Sequence, residues 1–193
     1  MNWTREKYVQ DPHYIPVPAS APPVAYAVRA GLYDPKTMER LGFVDLPEKV
    51  HVMPRESLRE SQVKSGPSVQ FGEGIRLLGH RVEEQDGALD LTLYWRASAQ
   101  PAQDYQVFVH LLDGDGRMVG QNDGPPVNGY YPASTWLQDQ IIADTHRVPL
   151  PTGGRPAAVA VGLYDLASGK RLPATGADGA RLVDDALIIP TGG

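Results

Sequence analysis

The chain repeats itself, and two copies of one stretch are expected to adopt one structure. Residues 3–18 (WTREKYVQDPHYIPVP) align without a gap with residues 136–151 (WLQDQIIADTHRVPLP). After a slip of two residues, residues 27–41 (AVRAGLYDPKTMERL) align with residues 158–172 (AVAVGLYDLASGKRL). Chance does not account for two GLYD segments together with the identities of the first stretch. Those identities pair Trp3 with Trp136, Asp11 with Asp144, His13 with His146, Pro16 with Pro149 and Pro18 with Pro151.

The first copy is incomplete, because it begins at its tryptophan and has no counterpart of residues 71–135. We therefore predict that residues 1–54 are the back half of one unit and that residues 55–67 are a linker. Residues 68–193 are then a complete unit. This order is expected for a tandem array cut in its middle.

A half unit brings strands that lack partners, and their apolar residues include Ile15, Val28, Leu32 and Val50. Isolated strands neither bury such side chains nor satisfy the hydrogen bonds of their edges. We expect one of two arrangements. The strands extend the sheets of the complete unit, or two chains combine their half units in a homodimer.

Alternating hydrophobicity predicts strands throughout the complete unit. In residues 88–96 (ALDLTLYWR), the apolar side chains fall on one face and the polar ones on the other. Residues 105–112 (YQVFVHLL) are the next strand. The DGDG segment at residues 113–116 closes a hairpin, because Asp and Gly tolerate the positive φ angles of tight turns. We expect Trp95, on the apolar face, to fill the space between two sheets.

Helices are disfavoured, since 20 glycines and 18 prolines interrupt most windows, and only residues 54–63 suit a short linker helix. Further strands are predicted at residues 141–142, in the VPLP segment, and at residues 157–164 and 186–189. The pattern predicts an all-β fold, an antiparallel β-sandwich of the immunoglobulin-like or jelly-roll-like kind. A closed barrel is less favoured.

The charge pattern argues against nucleic acid as a partner. The net charge is −5, from 18 basic and 23 acidic residues, and no run of Lys or Arg is present to neutralise consecutive phosphates. The absence of cysteine excludes disulfides, thiolate catalysis and Cys-based zinc sites. No stretch approaches about 20 consecutive apolar residues, and the first residues lack the pattern of a secretory signal. We therefore expect no direct membrane insertion by this chain.

Several motifs together resemble a known bacterial domain. They are FGEGIRLLGH at residues 71–80, LTLYWRA at residues 91–97, YQVFVHLLDGDGRMVGQNDGPPVNGYYPASTW at residues 105–136 and VGLYDLASGKRLP at residues 161–173. Their order is similar to that in the C-terminal extracytoplasmic domain of bacterial, especially Chloroflexi-type, membrane glycosyltransferases of the dolichyl-phosphate-mannose mannosyltransferase type. The resemblance covers residues 69–190, and the back-half motifs extend it to residues 3–54. It implies a β-sandwich accessory domain outside the cytoplasm or at the cell surface, and it carries over no catalytic residue.

The loop at residues 122–136 (NDGPPVNGYYPASTW) has the composition of a carbohydrate-binding surface. Aromatic faces stack on sugar rings, and amides and carboxylates bond hydroxyl groups. Alternatively, the aromatic side chains close the open end of the sandwich, and the retention of a tryptophan as Trp3 favours that role for Trp136. The predicted ligand-binding residues are Asn122, Asp123, Asn128, Tyr130, Tyr131 and Trp136.

The remaining polar motifs predict no catalytic residue, no metal site and no cofactor. His110 has no serine or carboxylate pattern nearby to complete a triad. His13 and His146 are shared by both copies at a predicted strand entrance, which indicates an architectural role. Asp113 and Asp115 are not followed by the further oxygen ligands that a calcium loop needs, so a hairpin turn is favoured there.

These features predict a non-catalytic accessory module of an extracytoplasmic or cell-surface glycan-handling system, with the aromatic loop as its contact surface. Its partner is then a carbohydrate or another domain of a membrane protein. The alternative is a purely structural spacer or a protein–protein interaction β-sandwich domain. An enzyme acting on glycosides fits least well, because no pair of carboxylates stands out at the opening of the fold.

Overall fold

The computed structural model describes residues 11–17, 25–52, 58–63 and 65–191. The chain divides into two compact units, Met1–Pro54 and Arg55–Gly193. Strands build both units, and the helical elements of the described residues are 3-10 turns of three or four residues. The predicted all-β class is confirmed. No helix in the described ranges is long and apolar enough to cross a bilayer.

The first unit contains an antiparallel hairpin. β1 (Ala25–Tyr33) pairs with β2 (Arg40–His51). Asp34 organises the turn between them, since its carboxylate accepts the backbone N–H groups of Lys36 and Thr37 at 2.7 and 3.2 Å. Aspartate favours such turns because its side chain bonds the backbone two residues on.

In the second unit, the described residues form nine strands in two sheets. The five-stranded sheet has the order β10-β3-β4-β5-β8 and the four-stranded sheet has the order β11-β9-β6-β7. All pairings between these strands are antiparallel. The strands are β3 (Ser65–Phe71), β4 (Ile75–Gln85), β5 (Ala88–Ala97), β6 (Gln106–Leu112), β7 (Met118–Gln121), β8 (Ile141–Pro149), β9 (Ala158–Tyr164), β10 (Ala174–Thr175) and β11 (Leu187–Pro190).

The sheets pack face to face, and their inner faces form the core. On β5 the side chains that alternate inward are fully buried, as the pattern of residues 88–96 predicts. Trp95 contacts Phe71 edge-on, with ring centroids 5.7 Å apart. Trp95 therefore has the predicted central position. The fully buried residues on the inner faces of β5, β6 and β9 are Leu89, Leu91, Leu93, Trp95, Val107, Val109, Leu111, Val159, Val161 and Leu163.

Turns rich in Asp and Gly connect two pairs of adjacent strands, and the one at the DGDG segment was predicted. The β6–β7 hairpin at the DGDG segment is confirmed, and Asp113 Oδ1 accepts the backbone N–H groups of Asp115 and Arg117 at 2.9 and 2.8 Å. Between β4 and β5, Asp86 and Gly87 have φ angles of +51° and +71°. Positive φ at both central residues gives a two-residue hairpin whose twist matches that of its strands.

The two GLYD segments end in the same turn. The N–H of Asp34 donates to the carbonyl oxygen of Glu39 at 2.9 Å, and the N–H of Asp165 donates to that of Lys170 at the same distance. The C-terminal ends of β1 and β9 are therefore followed by the same hydrogen-bonded turn. The chain beyond the turn differs between the copies, since β2 returns directly along β1, whereas β10 crosses to the five-stranded sheet before β11 returns to β9.

Several details differ from the sequence predictions. Residues 141–142 and the first two residues of the VPLP segment belong to one strand, β8, which ends at Pro149, so His146 lies in mid-strand and the predicted strand entrance is wrong. Within residues 58–63, the helical element is a 3-10 turn, Glu60–Gln62. β3 begins at Ser65, inside the range predicted as a linker. The predictions for Trp3 and Pro18 lie outside the described residues.

Candidate functional site

The loop predicted to bind a ligand, residues 122–136, carries the chain from β7 in the four-stranded sheet to β8 in the five-stranded sheet. It contains two 3-10 turns, Pro126–Gly129 and Ala133–Thr135. At its start, Val107 and Gly124 exchange backbone hydrogen bonds of 2.8 and 3.0 Å. The loop thus begins as an addition to the ladder beside β6.

The three aromatic residues of the loop occupy different environments. Trp136 is fully buried, stacks on Trp95 with ring centroids 6.5 Å apart, and donates from Nε1 to the carbonyl oxygen of Tyr131 at 2.9 Å. Tyr131 is 4% exposed, and its hydroxyl donates to Gln140 Oε1 at 2.6 Å. Burial raises the pKa of that hydroxyl. Tyr130 is 67% exposed. Of the three rings, Tyr130 alone is open to solvent for stacking.

The polar residues of the loop also differ in their environments. Asn122 bonds His146 through Oδ1 and the backbone through Nδ2. Asp123 accepts the N–H of Val109 at 3.3 Å and lies 3.1 Å from the Nε2 of His110. Both side chains thus anchor the loop to neighbouring strands. Asn128 is exposed and lies in the first 3-10 turn, which Tyr130 directly follows.

Asp144 on β8 is the centre of a buried hydrogen-bond network beneath the loop. Its side chain has no exposed surface. Oδ2 accepts from Trp95 Nε1 at 3.1 Å and from His146 Nε2 at 2.9 Å. Oδ1 accepts from the backbone N–H of Val127 at 2.7 Å. A buried carboxylate needs such partners, because removing its charge from water costs several kcal/mol.

His146 faces a hydrogen-bond acceptor on each side of its ring. Nε2 is bonded to the carboxylate of Asp144, and Nδ1 lies 2.9 Å from Asn122 Oδ1. The orientation of the Asn122 amide follows from its network, since its Nδ2 donates to the carbonyl oxygen of Arg147 at 3.2 Å. The imidazole is therefore held between Asp144 and Asn122, and each of its ring nitrogens has a hydrogen-bond partner.

The backbone of the loop is strained where it contacts Asp144. Val127 has φ +53° and ψ 42°, a left-handed conformation that is rare for a β-branched residue. Such conformations cost on the order of 1–3 kcal/mol and persist where surrounding contacts hold them. The bond from the Val127 N–H to the buried carboxylate is that contact.

Sequence reasoning missed this network, although two signals of it are present. In strand β8 the inward positions are Ile142, Asp144, His146 and Val148, so period two places the two polar residues on the apolar face. Polar residues at core positions indicate a partnered network. The repeat is the second signal, because it retains both the aspartate and the histidine.

The partial copy forms the same pair in a different environment. His13 Nε2 lies 3.0 Å from Asp11 Oδ2, the atoms that pair in His146 and Asp144. In the first unit both side chains are more than two thirds exposed, whereas in the second unit they are 3% and 0% exposed. The geometry of the Asp-x-His pair is therefore local, and only its burial depends on the completed sandwich.

A second polar group lies on the outer face of the four-stranded sheet. His110 projects from β6 on the face opposite Val107 and Val109 and pairs with Asp123. Burial, and then the negative charge of Asp123, raise the pKa of Tyr164 on the adjacent strand β9. No three His, Asp or Glu side chains of the described ranges are grouped to hold a metal ion.

Comparison with known proteins gives no relative. No protein-family model matches the chain, and neither a curated protein nor a solved structure matches it. The glycosyltransferase-domain resemblance of the complete unit therefore stays a prediction.

Proposed function

We propose that this chain is a non-catalytic accessory module that works by associating with other β-sandwich units. The observation that carries the proposal is the exposed hairpin of the first unit. Leu32 on β1 is 65% exposed, whereas Leu163 at the same position of β9 is fully buried. Val44, across the hairpin from Ala30, is 56% exposed. Exposed apolar faces of this kind mark surfaces that bind other proteins.

The placement of the polar residues supports a role without catalysis. Asp144 and His146 have the pairing of a general acid–base group, but their side chains are 0% and 3% exposed. A substrate does not reach a pair that is enclosed between two sheets. All the hydrogen bonds of this carboxylate go to the core and to the loop, which is a structural use.

The cellular setting of the proposal rests on the motif resemblance. Residues 69–190 resemble an extracytoplasmic domain of bacterial membrane glycosyltransferases, so we propose that the module belongs to a glycan-handling system outside the cytoplasm. In such a system a β-sandwich accessory unit positions a partner domain.

Sedimentation velocity across a concentration series tests the association. We expect the full chain to form larger species as its concentration rises. A variant with Leu32→Ser and Val44→Ser loses two apolar side chains from one face of the hairpin, which we expect to weaken association at least about tenfold.

The control for this test is Leu166→Ser in the second unit, where the leucine is 66% exposed in the turn after β9. This variant removes a comparable exposed leucine outside the hairpin and is expected to associate like the unchanged chain. A chain that remains monomeric at every concentration, or a double variant that associates as strongly, contradicts the proposed function.

Carbohydrate binding through the loop is a second candidate function, favoured by the exposed ring of Tyr130 and the exposed amide of Asn128. If the loop binds sugar, we expect the unchanged chain to give a glycan-array signal and the Tyr130→Ala variant to lose it. Tyr14→Ala is the matched control, since this tyrosine is 94% exposed and lies outside the loop. No signal from the unchanged chain, or a signal that Tyr130→Ala leaves intact, contradicts this candidate.

A further inference from the structure

The β1–β2 hairpin carries a surface depression of about 290 Å³ on one of its faces. This volume lies at the lower end of the range for small-molecule pockets, and it is large enough to hold one large side chain. Gly31, which has no side chain, lies within it. The depression is lined by Arg29, Gly31, Leu32, Tyr33, Arg40 and Phe43.

In the second unit, the repeat position equivalent to this depression is occupied by a side chain. Gly31, Tyr33 and Arg40 occupy the repeat positions of Gly162, Tyr164 and Arg171. The strand ends are alike in structure as well, because Tyr33 pairs with Arg40 and Tyr164 pairs with Arg171. What covers Gly162 therefore indicates what fits over Gly31.

In the second unit a phenylalanine of β6 covers the glycine. Phe108 is the cross-strand partner of Gly162, and a Cβ atom added at Gly162 would overlap the Phe108 ring. The guanidinium carbon of Arg171 lies 4.3 Å from the centroid of the same ring, a distance typical of a cation–π contact. The glycine and the arginine together hold this ring on the outer face of the sheet.

In the first unit the corresponding ring and its strand are missing from the described structure. Within the described residues, β1 pairs with β2 alone, whereas β9 lies between β11 and β6. Phe43 faces Gly31 from the β2 side, and its ring lies 4.3 Å from the guanidinium carbon of Arg29. Within the described residues, therefore, no strand lies along the edge of β1 that matches the β6 side of β9, and we call this edge the open edge.

We propose that the open edge of β1 binds an antiparallel strand of the β6 type from another sandwich unit. The strand places a phenylalanine over Gly31, beneath Arg40, and covers Leu32 with aliphatic side chains on its other face. Strand addition of this kind takes its affinity from main-chain hydrogen bonds and its specificity from side-chain pockets. The inference rests on the proposed function and names the partner of that association.

A peptide with the sequence of residues 104–113 (DYQVFVHLLD) tests the inference against the full chain. With a fluorescent label on the peptide, we expect its anisotropy to rise to saturation as the chain is added. Replacing the peptide phenylalanine by alanine is expected to weaken binding at least about tenfold, the loss expected for one large buried apolar side chain.

Two glycine variants of the full chain form a matched pair. Gly31→Val fills the depression and is expected to weaken binding at least about tenfold. Gly42→Val adds the same side chain where a Cβ atom meets nothing within 4 Å, and it is expected to leave binding unchanged. Since a Cβ atom at Gly31 would lie 3.1 Å from the carbonyl oxygen of Gly42, far-UV circular dichroism checks the fold of both variants.

The inference is overturned if the unchanged chain shows no saturable binding, or if neither the peptide substitution nor Gly31→Val weakens it. The peptide substitution decides the question even if Gly31→Val fails to fold. Self-association without peptide binding leaves the proposed function standing and removes the β6-type strand as its partner. If the chain neither self-associates nor binds the peptide, both proposals are contradicted.

Discussion

Asp144 accepts three hydrogen bonds with one buried carboxylate, from the side chains of Trp95 and His146 and from the backbone of Val127. Asp144→Ala leaves the indole N–H of Trp95, the ring of His146 and the N–H of Val127 without this acceptor. Removing one partner of a buried pair costs about 3–5 kcal/mol. We expect the free energy of unfolding of the second unit to fall by that amount in urea denaturation followed by tryptophan fluorescence.

The repeat provides the control for this prediction. Asp11 makes the same bond to His13, but both side chains are exposed, and exposed pairs contribute little. We expect Asp11→Ala to leave the unfolding of the second unit unchanged. An Asp144→Ala variant as stable as the unchanged chain would show that the buried network does not stabilise the sandwich.

At the residue scale, the sequence predicts burial better than it predicts hydrogen bonding. Trp95 is identified as a core residue because it lies on the apolar face of an alternating strand. Its bond to Asp144 depends on the register of β5 with β8, where Leu93 lies opposite Asp144. Register over such a separation in sequence is set by tertiary packing, which local patterns do not report.

At the scale of elements, the strands themselves follow from local patterns. Alternation locates β5 and β6, and the DGDG segment locates the turn between β6 and β7, because both signals act within a few residues. The course of β10 does not follow in this way. Its two residues pair with β3 in the opposite sheet, and a strand this short has no periodicity to read.

The turns after the two GLYD segments show that hydrogen bonds within a turn override residue preference. Gly169 has φ +67°, as expected of a glycine at the end of a turn, and Met38 at the same repeat position has φ +59°. A methionine in this conformation is uncommon. The turn holds it in place, since the N–H of Met38 donates to the main-chain carbonyl oxygen of Asp34 at 2.8 Å, as the N–H of Gly169 does to that of Asp165.

The aspartate of the second turn is held in its charged form. Hydrogen bonds from the hydroxyl and the backbone N–H of Ser168 lower the pKa of Asp165. A lowered pKa in the folded state means that the contribution to stability is present above the unfolded value, about 3.9, and is lost as the pH falls through the folded value. The turn is thus organised throughout the neutral range.

At the scale of the whole molecule, the two copies of the repeat differ in what surrounds them. Leu163 is enclosed by the sandwich, and Leu32 is exposed on its hairpin. The sequence predicts this imbalance, because the first copy lacks a counterpart of residues 71–135. It does not predict the depression at Gly31, which becomes visible when Phe108 is seen to lie over Gly162.

The fate of the predicted binding loop also belongs to this scale. Composition alone grouped Tyr130, Tyr131 and Trp136 as one aromatic surface. The structure separates them, because Trp136 stacks on Trp95 in the core while Tyr130 faces solvent. The same aromatic composition thus serves the interior and the surface, and the division depends on how the loop crosses between the two sheets.

The central claim is that the first unit is a partial copy of the second and that the edge of β1 lacks a β6-type strand. Native-state hydrogen exchange of the backbone amides in β1 and β9 tests this claim most directly. We predict strong protection throughout β9 and at least about a hundredfold faster exchange in β1 for amides that do not bond β2. The peptide of residues 104–113 should then slow exchange in β1 and leave β9 unchanged. If the amides of β1 are as protected as those of β9 without the peptide, the edge of β1 is not open and the account is contradicted.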